Sequence, residues 1–95
     1  MAETAPDTPP SVYVTVAHLF ETISDVAYQK MGLRRDPYTG KIVRELDEAR
    51  TAIDLAAHLA EVLDPSLDSD DRRTLQGMVR DLKMNYVRLR KDADA

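Results

Sequence analysis

A chain of 95 residues with no cysteine and a formal net charge of -4 is neither a disulfide-stapled scaffold nor a thiolate metal site, and its acidity opposes bulk nucleic-acid binding. The length gives one small domain that buries only roughly two-thirds of its unfolded surface, so oligomerisation is a ready way to enlarge the core. No apolar run reaches the ~20 residues that cross a bilayer, and residues 1–10 lack the basic and apolar regions of a signal peptide; the expectation is a soluble, cytoplasmic protein without a membrane partner.

In chain order, residues 1–10 are rich in Ala, Thr, Asp and Pro and predict a disordered tail. Residues 92–95 predict a frayed end, which leaves 11–91 as a single helical domain. The first predicted helix covers residues 11–32. Pro9 and Pro10 stop it extending backward, Ser11 suits the N-cap and Gly32 the C-cap. Val12, Val16, Leu19, Ile23 and Val26 recur at alternating steps of four and three residues, and Tyr13, Ala17, Phe20, Ala27 and Met31 lie in a second row beside them. Only His18, Thr22, Asp25 and Gln29 form a polar stripe, so about two-thirds of the circumference is apolar, wider than a surface helix needs. The β-branched start at 12–16 also suits a strand; the sustained helical period beyond it decides for helix.

Residues 33–44 form a connector around Asp36-Pro37-Tyr38-Thr39-Gly40. Pro37 fixes φ, the Asp36 side chain accepts backbone N–H bonds and Gly40 supplies a positive φ. The flanks 33–35 and 41–43 allow a very short hairpin as the alternative to a plain loop. Tyr38 sits at the tip, either as a contact residue or folded over a neighbouring helix.

The second predicted helix covers 45–64. Leu46, Ala49, Ile53, Ala56, Ala60 and Leu63 make its core stripe, with Ala52, Leu55 and Leu59 alongside. Its alanines favour helix and let a partner helix come close. Asp47, Arg50, Asp54, His58 and Glu61 form the wet face, and Pro65 ends the helix. The third covers 68–91, with Asp68 as N-cap, Asp70 and Asp71 at the positive end of its dipole and Arg88, Arg90 and Lys91 at the negative end. Leu75, Met78, Val79, Leu82, Tyr86 and Leu89 give its buried stripe. Gly77 costs about 1 kcal/mol against alanine inside a helix and so points to a close helix contact.

Several of these stretches occur together in a known order. Asp36-Pro37-x-Thr39-Gly40 precedes Leu46-x-x-Ala49-x-x-x-Ile53-Asp54; then come Leu67, an N-cap with acids, Leu75 and Leu82-Lys83-x-x-Tyr86-Val87. Over roughly residues 12–88 this resembles the bacterial family called domain of unknown function 1844. Glu45 and Asp68-Ser69 stand where family members typically show an Asn and a Thr-Pro helix start, both conservative for capping, and Lys83 stands where they often show Arg. The resemblance implies a helical fold and no chemistry, since the family carries no established activity.

The sequence has no P-loop, Gly-rich dinucleotide loop, nucleophile elbow or Cys–His pair. The expectation is a protein that is not an enzyme and takes no cofactor. One metal alternative needs weighing. His18 and Glu21 share a helix face, as do His58 and Glu61, and two histidines with two carboxylates are Zn or Fe ligands. Both stripes point away from the shared core, and the order reverses the Glu-x-x-His motif of di-iron bundles, so no metal site is expected. In the third helix Arg72, Arg80, Lys83 and Arg90 lie along one side. They read either as a phosphate-tracking row for weak RNA or ribosome contact or, preferred here, as a solvated face complementing the acidic second helix. Arg34, Arg35, Lys41 and Arg44 add modestly around the turn. Met31, Met78 and Met84 read as core or interface filler.

Together these features predict an all-α, three-helix domain: a helical hairpin with the C-terminal helix folded back. The wide apolar circumference of the first helix predicts a homodimer, a coiled-coil-like bundle with an isologous seam at Val12, Val16, Leu19, Ile23 and Val26. The expected function is a non-enzymatic interaction or scaffold module with an unknown protein partner, acting through that seam and the turn Asp36, Pro37, Tyr38, Thr39 and Gly40. A small metal-binding bundle is the alternative.

Overall fold

Ser11 starts the first helix as its composition requires: its backbone is extended (φ -63°, ψ 144°) and its hydroxyl accepts the Tyr13 N–H at 3.2 Å. In the computed structural model, which describes residues 8–94, this helix, α1, spans Val12–Lys30. The expected tail at 1–10 lies outside the described residues except for 8–10. α1 ends in a paired carbonyl cap: the Leu33 N–H donates to the Tyr28 carbonyl at 3.0 Å and the Gly32 N–H to the Gln29 carbonyl at 3.0 Å. Gly32 has φ +78°, and a Cβ there would meet only ordinary contacts at 3.5 Å. Its role is therefore conformational.

The loop 33–44 returns the chain to the end of α1. The Glu45 N–H donates to the Lys30 carbonyl at 2.7 Å, and the Arg44 Nε to the Met31 carbonyl at 3.3 Å. α2, Leu46–Leu63, then runs antiparallel to α1. Glu45 makes no side-chain capping bond, so in place of a family Asn it is not the conservative capping change the sequence predicts. The Lys30 ammonium lies 3.0 Å from the Glu48 carboxylate and ties the turn end of the hairpin. Hydrogen bonding to Glu48, and then its charge, raise the Lys30 pKa above the ordinary lysine value. The stabilisation is complete below the unfolded lysine value of about 10.4 and is lost as the pH climbs through the raised one.

Pro65 halts α2, and the chain makes a 3-10 turn, Asp64–Ser66, before α3, Ser69–Asp94. The Asp68 carboxylate accepts the Asp71 N–H at 2.8 Å, so Asp68 is the N-cap the sequence predicts. α3 continues three residues past the expected end at Lys91. It lies antiparallel on α2 and touches α1 only slightly. Two arginines clamp it to the two ends of α2: Arg72 lies 3.2 Å from the Asp64 carboxylate and also bonds the Asp64 and Leu67 carbonyls, while Arg90 lies 3.3 Å from the Asp47 carboxylate.

The core is mainly the α1–α2 hairpin. Phe20, Ala27 and Met31 of α1 meet Leu46, Ala49, Ala52, Ile53, Ala56 and Leu63 of α2, and α3 adds only Leu82 and Leu89. Ala27, Ala49 and Ala56 are fully enclosed, as the close approach of alanine-rich helices requires. The all-α expectation holds, with three α-helices and no strand among the described residues. The hairpin alternative for 33–43 does not form.

One expected buried position differs: Met78 is 41% exposed, and Leu55 and Tyr13, in the apolar rows beside the core, are 45% and 44% exposed, because two covering helices leave the flanks of each buried stripe open. Gly77 faces open space, not another helix. The two glycines thus predict opposite results. Gly77→Ala should raise stability by about 1 kcal/mol through helix propensity. Gly32→Ala should lower it by about 1–2 kcal/mol, because alanine is forced into the left-handed region. Urea unfolding of both variants measures the contrast; equal signs would contradict it.

Candidate functional site

The row Val12, Val16, Leu19, Ile23 and Val26 lies along one border of α1's buried face. Val12 is 66% and Leu19 51% exposed, and the other three are half-buried. Ile23, Val26 and Lys30 line a groove with Glu48, Thr51, Ala52 and Leu55 of α2. On α2 the same side carries exposed Leu55 and Val62, with Leu59 half-buried between them. Antiparallel pairing sets Ile23 near the level of Leu55 and Leu19 near that of Leu59. One apolar face therefore spans both helices. α3 does not cover it, since α3 packs on the other flank of α2. The sequence sets Leu55 beside the core stripe and does not single out Val62; only the position of α3 leaves both outside.

The turn 36–40 is held by its own polar groups. The Asp36 carboxylate accepts the Tyr38 N–H at 2.7 Å and the Thr39 N–H at 3.3 Å, and the Asp36 carbonyl accepts the Gly40 N–H at 2.8 Å. The Asp36 N–H donates to the Lys41 carbonyl at 2.8 Å, and the Lys41 N–H to the Thr39 hydroxyl at 3.3 Å. Gly40 has φ +71° and its carbonyl accepts from Arg35 at 3.0 Å. Asp36, Pro37, Thr39 and Gly40 are thus explained by the turn itself. Tyr38 is not. It projects at the tip, 96% exposed, so of the two sequence readings the ring takes the exposed one. Arg34, at the loop's start, ion-pairs with Asp25 and stacks on the Tyr28 ring with its guanidinium carbon 4.9 Å from the centroid.

His18, Glu21, His58 and Glu61 are all exposed, on faces turned from the shared core. Among the described residues no group of three or more His, Asp or Glu side chains is placed to hold a metal. The basic row on α3 divides. Arg72 and Arg90 are the clamps to α2, whereas Arg80 and Lys83 have no ion-pair partner among the described residues. The acids of 45–64 thus pair with two of the four cations, in line with the preferred sequence reading, and leave the other two outside any ion pair among the described residues. Of the methionines read as filler, Met31 is buried in the core, while Met78 and Met84 are 41% and 63% exposed.

The order of turn, alanine-rich helix and C-terminal helix has a counterpart among known families. The family model described as Domain of unknown function (DUF1844) matches residues 13–88, most of the chain. The chain belongs to the DUF1844 family. No curated protein and no solved structure matches it. The matched region of this DUF1844 domain takes in the turn, all of α2 and α3 as far as Arg88. No helix among the described residues is long and apolar enough to cross a membrane.

Proposed function

We propose that this DUF1844 domain is a non-enzymatic interaction module that self-associates through the α1–α2 face as an isologous helical bundle. The carrying observation is the continuity of that face: Val12, Val16, Leu19, Ile23 and Val26 join Leu55, Leu59 and Val62 in one surface, larger in reach than the scattered apolar residues of an ordinary monomer surface. Its borders are neutral or neutralised, with Thr15 and Thr22 on α1, Thr51 on α2 and the Lys30–Glu48 pair at one end. A second copy brings matching rows across a two-fold axis and buries no unpaired charge. The fixed turn stands outside this interface and presents Tyr38 to a different protein, as an exposed aromatic on a rigid mount.

Thermal unfolding at two concentrations tests the reading. Association of folded chains stabilises them against unfolding by up to about 2.7 kcal/mol of dimer over a hundredfold rise in concentration above the dissociation range, so the midpoint should rise by several degrees. A midpoint independent of concentration would reject it.

A further inference from the structure

The outward side of α3 combines two features that ordinary solvated helix faces keep apart. Met84 and Val87, 63% and 61% exposed, lie opposite the buried Leu82 and Leu89, with Arg80, Lys83, Arg88 and Lys91 around them. Lys83, Met84, Val87, Arg88, Lys91 and one acid, Asp92, line one open groove. Among the described residues, Arg80, Lys83 and Lys91 enter no ion pair, and Arg88 is engaged only by the Asn85 side chain, at 2.8 Å. A net-positive rim, four cations to the one acid Asp92, therefore surrounds an exposed aliphatic centre.

We infer that this face of α3 docks an acidic amphipathic helix of a partner protein, whose aliphatic row covers Met84 and Val87 while its Asp and Glu side chains meet the surrounding cations. Charge complementarity selects the acidic rim, and the aliphatic centre selects an apolar stripe within it. Methionine adapts to the side chains laid against it. Nucleic acid fits less well. The face offers no aromatic ring on which to stack a base, since Tyr86 is half-buried against α2. A lipid surface fits less well too, because two aliphatic side chains give little anchoring. A second copy of this chain has the acids without the stripe: Asp47, Asp54 and Glu61 share their face with Arg50 and His58. The docking face is separate from the α1–α2 face, and the inference does not rest on self-association.

The test uses the full chain and a fluorescent synthetic helix of about 20 residues, carrying a leucine stripe rimmed with glutamate. Controls are a scrambled peptide of equal composition, a single-stranded RNA oligonucleotide and vesicles of mixed phosphatidylcholine and phosphatidylglycerol. The striped peptide should bind, more tightly than the scrambled one by about tenfold, and more weakly as salt rises. Lys83→Glu with Lys91→Glu should weaken binding at least about tenfold, and Met84→Ser should weaken it without changing the salt dependence. All these variants should keep the wild-type melting midpoint, and Leu19→Glu should bind peptide normally whether or not it self-associates. The inference is overturned if the peptide does not bind, if the scrambled peptide binds equally well, if RNA or vesicles bind and are the better ligands, or if the α3 variants lose self-association instead of peptide binding.

Discussion

Replacing Leu82 with alanine should remove about 2–5 kcal/mol of stability. Leu82 is 1% exposed and is one of only two α3 side chains fully enclosed in the core. The other attachments of α3 are weaker. Leu75, Val79 and Tyr86 are partly buried, and the arginine clamps have exposed partners: Arg90 and Asp47 are 44% and 92% accessible at their side chains. A pair so exposed contributes about 0–1 kcal/mol, so burial of Leu82 outweighs it. A domain of this class has about 5–15 kcal/mol in all, which makes the loss a large share of the total. Urea unfolding followed by far-ultraviolet circular dichroism measures it, with Arg90→Ala as the comparison. A loss from Leu82→Ala no greater than that from Arg90→Ala would mean that α3 is held by its rim and not by its core contact.

The second large effect concerns association. Leu19→Glu should weaken self-association by at least about 100-fold, because each copy then carries a carboxylate into the dry centre of the face and the two-fold axis counts the penalty twice. The isolated fold should hardly notice: Leu19 is already 51% exposed, and substitutions at open surface positions usually change stability by less than about 0.5 kcal/mol. Unchanged helix content with a lost dimer is the expected pattern. Wild-type association by the variant would move the interface elsewhere, and collapse of the monomer fold would mean that the side chain is more enclosed than its exposure indicates.

The helices were legible because their punctuation is local chemistry. Pro9, Pro10, Gly32 and Pro65 act through their own backbone and Ser11 and Asp68 through side chains that cap it, and each marks a boundary in the structure within one or two residues. The alanine stripe of α2 was legible for a similar reason, since helix-forming side chains without bulk leave one efficient use for that face. Register was not legible. Whether Arg72 and Arg90 face solvent or α2 depends on how far α3 slides along α2, and a slide of one turn would separate them from Asp64 and Asp47. Periodicity showed that α3's cations share a side but could not divide clamps from free charges. Helical position alone already sets Met84 and Val87 opposite Leu82 and Leu89; reading the methionines as filler hid that signal. The turn was legible as a turn, while the direction of Tyr38 depends on whether a neighbouring helix passes within reach of the ring.

The face shared by α1 and α2 is the part of the account on which the functional reading rests. Sedimentation equilibrium of the full chain over a range of micromolar concentrations tests it most directly. The account predicts a mass of twice the 10.7 kDa chain, falling toward the single-chain value only on dilution. A single-chain mass at every concentration, with the apolar face still intact, would contradict it.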